Sequence, residues 1–233
     1  LTTIKGNILT EGSNINVDID DNFGENQENW GTINSQADFN AAVAAGGKYK
    51  VINPITFTNS GAGTAAVRFA AASAAVETVI DLNGKTIKQS QAQTGAYSMI
   101  TNKGTLTIKG NGTIDYADTA DLTADVNYVS NVIWNNDNGV LTIEDATIIN
   151  SSTDNVADYG FPHCIDNYGT LTINSGTFTN KTKYSSIRIW CTTDDDTNVT
   201  INGGTFNGCI DFHNVNGNAN KGTLTINNGV FNA

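Results

Sequence analysis

A three-residue phrase returns five times in the last two-thirds of the chain: Leu106-Thr-Ile108, Leu141-Thr-Ile143, Leu171-Thr-Ile173, Val199-Thr-Ile201 and Leu224-Thr-Ile226. After a polar turn each phrase runs on to Thr113-Ile114, Thr147-Ile148, Thr177-Phe178, Thr205-Phe206 and Val230-Phe231. Successive phrases start 35, 30, 28 and 25 residues apart. Irregular length with a constant grammar belongs to a repeat architecture whose loops vary.

Within each phrase the alternation has period two, so one strand face is buried and the other is wet. The turns between the phrase and its continuation are built from Gly and Asn, as in Asn202-Gly203-Gly204, the residues that tolerate a left-handed backbone at little cost. A third strand precedes each phrase, around Ile100, Ile133, Ile165, Ile187 and Ile210. Three short strands per repeat make one coil of a solenoid. A lone coil cannot bury its apolar face, but stacked coils share one interior with like residues about 4.8 Å apart. The expected inward ladders are Leu106, Leu141, Leu171, Val199, Leu224 and Ile114, Ile148, Phe178, Phe206, Phe231.

A chain of 233 residues exceeds the usual domain size, yet a solenoid grows by adding coils and needs no second core. A net charge of −11 with only 12 Lys and Arg argues against nucleic acid and anionic membranes. No apolar run approaches the roughly 18 residues that span a bilayer. Cys164, Cys191 and Cys209 have no metal-like spacing and read as buried thiols.

From Ser35 to Ala45 the pattern predicts a short helix: Ser35 caps it, Phe39 and Val43 share a face, and Gly46-Gly47 stops it. Its expected task is to plug the end of the solenoid, whose first coil would otherwise expose unpaired backbone. With the strand that follows and the phrase Val79 to Ile87, this start resembles that of right-handed parallel β-helix proteins of the pectate-lyase-like superfamily. The resemblance covers residues 35–233, and its Asp81-Leu-Asn-Gly-Lys-Thr-Ile87 and Gly-Gly-Thr-Phe phrases are common in bacteriophage virion and bacterial surface proteins. It implies an all-β parallel β-helix behind a capping helix, and says little about function.

Residues 1–34 do not fit the coil grammar and carry Asp18, Asp20, Asp21, Glu25 and Glu28. A solvated acidic arm, an anchor to a partner and a calcium loop are all open readings; against calcium, Phe23 stands where the EF-hand pattern wants Gly and position twelve is Asn29. The first residue, Leu1, fits a start from which a leader has been removed, or a fragment. The stop after a complete repeat fits either an open end that a partner subunit covers or a chain that was longer, and self-association or a larger assembly is the expectation.

If the third-strand isoleucines point inward, the residues after them form one outward stripe: Thr101, Trp134, Asp166, Arg188 and Asp211, flanked by Tyr168, Trp190 and His213. One reading is a carbohydrate groove with sugars stacked on the aromatics; the other is a surface charge ladder. Asp166 and Asp211, two strands apart at about 9.6 Å, lie near the upper limit, roughly 9.5 Å, for inverting glycosidases. Arg188 between them would hold both carboxylates ionised, leaving no acid. A lyase of the resembled superfamily would need a Lys or Arg base beside calcium-binding carboxylates, for which Arg188 with Asp194, Asp195 and Asp196 is the local candidate. The polygalacturonase phrases are missing, Arg188-Ile-Trp190 being at best a fragment of one.

The expectation is therefore a non-enzymatic external structural or attachment protein of the phage-virion kind (capsid decoration, head fibre or tail-associated), partnered by itself, by other virion or surface proteins, or by surface polysaccharide. A secreted bacterial glycan-binding protein, lyase or glycoside hydrolase is the alternative.

Overall fold

The computed structural model describes residues 29–57, 67–69, 77–89, 98–116, 131–151, 162–191, 197–214 and 222–232. Among these, one helix and three all-parallel sheets of eight, seven and six strands wind into a parallel β-helix. Each complete coil gives one strand to each sheet. The eight-stranded sheet takes the repeated phrases, the seven-stranded sheet their continuations, and the six-stranded sheet the strands at Ile100, Ile133, Ile165, Ile187 and Ile210.

Register is kept from coil to coil. Leu106 pairs with Leu141, Leu141 with Leu171, Leu171 with Val199 and Val199 with Leu224. In the seven-stranded sheet Ile114, Ile148, Phe178, Phe206 and Phe231 follow one another in the same way. The phenyl rings of Phe178, Phe206 and Phe231 stack at 5.0 Å, within 8° of parallel. The strand repeat leaves little freedom: side chains one coil apart meet at the strand spacing, so an aromatic over an aromatic must stack. Outside, Thr107, Thr142, Thr172, Thr200 and Thr225 line up on the solvated face.

The corners are equally constrained. Gly176 has φ +122°, and a Cβ there would sit 2.4 Å from the Ala146 carbonyl oxygen of the previous coil, so only glycine lets the two turns approach. A polar ladder, which sequence reasoning missed, runs inside another corner. Asn102 donates to Asn135 at 2.8 Å and Asn135 to Asn167 at 2.7 Å, all three fully buried. Asn135 also donates to the Gly139 and Thr170 carbonyls, so the ladder satisfies turn backbone that would otherwise be buried without partners.

The helix Gln36–Ala45 has Ser35 as its N-cap, with Oγ accepting from the Asp38 amide at 3.2 Å, and it ends at Gly46, φ +68°. Phe39 is buried and meets Phe57 edge-on at 5.3 Å, closing the core at that end. The Val43 side chain lies outside the described residues. Ahead of the helix, Gly31–Ile33 forms a strand paired in parallel with Gly47–Val51, so these residues, left outside the coil grammar by the sequence reading, extend the eight-stranded sheet beyond the first coil. Asp18, Asp20, Asp21, Glu25 and Glu28 lie outside the described residues. Cys164 and Cys191 are buried as expected, but Cys209 is exposed.

The two faces differ in energetic weight. Phe206→Ala is expected to cost about 3–5 kcal/mol of stability, whereas Thr172→Ala on the solvated face stays within about 0.5 kcal/mol. Urea unfolding of both variants measures the contrast, with midpoint shifts at unchanged slope.

Candidate functional site

The six-stranded sheet carries the expected stripe. Thr101, Trp134, Asp166, Arg188 and Asp211 are successive register partners on adjacent strands. Trp190 pairs with His213 two residues along. The sequence thus placed the seven residues Trp134, Asp166, Tyr168, Arg188, Trp190, Asp211 and His213 on one wall, because parallel in-register strands carry equivalent positions into a column.

Their chemistry differs from that of an exposed stripe. Asp166 and Arg188 are 2% and 5% exposed, so the centre of the wall is a buried ion pair and not a surface charge ladder. Arg188 Nε donates to Asp166 Oδ1 at 2.8 Å and Nη2 to Oδ2 at 2.5 Å, and Asn131 Nδ2 donates to Oδ2 at 3.0 Å. Burial is the largest influence on Asp166 and raises its pKa, opposed by Arg188 and Asn131. Burial alone would lower the pKa of Arg188, but the hydrogen bonds and charge of Asp166 hold it above its ordinary value. The guanidinium lies 4.7 Å from the Trp190 ring centroid, so the indole both shields the pair and offers a cation–π contact.

The aromatics form a column parallel to the solenoid axis. Trp134 meets Tyr168 edge-on at 6.0 Å, Tyr168 stacks on Trp190 at 5.6 Å, and Trp190 stacks on His213 at 4.6 Å. Where rings stack in this column, their faces are turned to the next coil and their edges outward, the same consequence of strand spacing as in the phenylalanine stack. A sugar at Tyr168 and Trp190 would therefore meet ring edges, not an open platform. Burial, with the nearby charge of Asp166, pushes the Tyr168 phenol up to about 12. At the lower end Asp211 and His213 are about half exposed, with His213 Nδ1 3.7 Å from Asp211 Oδ2.

Two polar atoms at this sheet lack a hydrogen-bond partner among the described residues: Trp134 Nε1 and His163 Nε2, both buried. His163, just before the strand Ile165–Asn167, is 2% exposed. Its Nδ1 lies 2.7 Å from Ser185 Oγ and 3.1 Å from the Ser185 carbonyl. Burial first and the charge of Arg188 second depress its pKa to about 3. No group of three or more metal-ligating side chains occurs among the described residues. Asp194, Asp195 and Asp196 lie outside them. No protein-family model, curated protein or solved structure matches the chain.

Removing Arg188 strands a buried carboxylate, so Arg188→Ala is expected to destabilise the fold by about 3–5 kcal/mol. Replacing both partners, as in Asp166→Asn with Arg188→Met, should recover much of that loss in the same urea titration.

His163 supplies a pH signature. Its folded pKa of about 3 lies below the ordinary 6.5, so as pH falls below 6.5 the unfolded chain takes up a proton that the folded chain refuses, and stability is lost. The urea midpoint is expected to fall already between pH 6.5 and 5, above most carboxylate titration, and His163→Gln should flatten that slope.

Proposed function

We propose that the chain is a non-enzymatic external structural and attachment element, of the kind that decorates phage capsids or builds head fibres and tail-associated parts. The observation that carries this reading is the state of the wall's central charges. Asp166 accepts from Arg188 twice and from Asn131 once, inside a sheet whose every strand is locked to its neighbours. A carboxylate so engaged neither donates a proton to a leaving group nor approaches a substrate, whereas the same pair fixes two adjacent coils to one another and Asn131 ties in a third. The phrases shared with bacteriophage virion and bacterial surface proteins are in keeping with an external setting, and an acidic, sparsely charged composition suits an exposed particle component.

A second reading, glycan capture by a bacterial surface or secreted protein, rests on Trp134 Nε1, which has no partner among the described residues, and on the half-exposed Asp211 and His213 at one end of the wall. Light scattering across a concentration series, with and without a panel of neutral and acidic polysaccharides, separates the two. Self-association or co-assembly without sugar is the expected result. A monomer that binds polysaccharide, and loses that binding on His213→Ala, would replace the structural reading with the glycan one; unsaturated sugar products would replace both with a lyase.

A further inference from the structure

The solvated face of the eight-stranded sheet carries a two-dimensional array that the wall on the six-stranded sheet does not involve. One row is Thr107, Thr142, Thr172, Thr200 and Thr225, each the register partner of the next. A second row, two residues away on the same strands, is Thr105, Val140, Thr170, Asn198 and Thr223. Neither row holds a charged or aromatic side chain. The seven-stranded sheet has one comparable row, Thr86, Thr113, Thr147, Thr177 and Thr205, but Lys88 and Asp115 charge the row beside it.

Most hydroxyls of the array are free. Thr107 donates to Glu77 at 3.0 Å and Thr223 to Asn198 at 2.7 Å, whereas the hydroxyls of Thr105, Thr142, Thr170, Thr172 and Thr200 make no hydrogen bond among the described residues. The coils also turn little. Neighbouring strands of an ordinary sheet rotate by about 20–25°, but the phenyl rings that mark three successive coils tilt by only 6° and 8° from one to the next. Three sheets bind each coil, so the threonine face turns with them. Its repeat is rigid in both directions, about 4.8 Å from strand to strand and about 6.6 Å, two residues of rise, along each strand.

A ligand for such a face has to be uncharged, rich in donors and acceptors, and periodic on the same scale. A sugar chain fits poorly, since neither row offers it an aromatic ring. Crystalline water fits well, because hexagonal ice is a lattice of donors and acceptors whose surface repeats lie close to both spacings. We infer that the threonine face of the eight-stranded sheet binds ice, with lattice water held on the free hydroxyls and the methyl groups seated between those waters. Each contact is weak, but the scaffold is ordered beforehand, so little freedom is lost when many form together.

The test is growth of ice on a cooled probe through a dilute solution of the full chain, with protein assayed in the ice and in the remaining liquid. The parent chain is expected to enter the ice several-fold more than Thr172→Tyr, whose ring would stand above the centre of the array. Thr177→Tyr, on the seven-stranded sheet, is expected to behave as the parent. Tyrosine is a good strand former, unchanged circular dichroism checks the fold, and Thr142→Tyr repeats the test one strand away. Exclusion of the parent chain from ice overturns the inference, as does entry that Thr172→Tyr and Thr142→Tyr leave intact. Self-association lost in those two variants, without ice entry by the parent, would give the face to a second copy instead.

Discussion

Register between successive coils is the constraint on which the rest of this molecule depends. A parallel strand pair spaces equivalent residues about 4.8 Å apart, and three sheets apply that spacing together. Each inward side chain therefore packs against its own counterpart in the neighbouring coil, as Leu141 does on Leu106 and Phe206 on Phe178. Burying a side chain of this size contributes about 1.5–3 kcal/mol, and a slip by one residue would turn the whole set outward. The glycine corners and the asparagine ladder serve the same end. Gly176 permits the close approach of turns, and Asn102, Asn135 and Asn167 satisfy the backbone that this approach buries.

The wall on the six-stranded sheet follows from the same spacing. Outward residues are brought into a column whether or not they suit one another, and here they do: a carboxylate beside a guanidinium, an indole over an imidazole. A buried ion pair is weak as a source of stability, because desolvation offsets much of its attraction. Its stronger consequence is specificity. Asp166 and Arg188 tolerate only the register that joins them, so the pair acts as a pin between coils. Stacked aromatics reinforce it, and their outward edges give the wall a chemistry unlike that of an open sugar platform.

Much of this was legible in the sequence, since period-two alternation, Gly and Asn corners and a Ser35-capped helix each have a direct physical cause. The column from Trp134 to Asp211 could be written down once the third strand was placed. Its burial could not, because a polar residue at an outward strand position reads as solvated unless the side chains that cover it are known. The strand Gly31–Ile33 was hidden by its length, three residues showing no period. The asparagine ladder had a signal in the repeated Ile-x-Asn of Ile100, Ile133 and Ile165. Asparagine after a strand suggests a turn, and only the closed coil shows that it points inward.

Hydrogen exchange read by mass spectrometry on the intact chain tests the central claim most directly. If register binds the three sheets into one cooperative unit, the amides of Ile165–Asn167 and Ile187–Cys191 will exchange as slowly as those of Thr170–Ile173 and Thr177–Asn180. Fast exchange confined to the six-stranded sheet would contradict it, since the wall would then open independently and Asp166 with Arg188 would not be pinning the coils together.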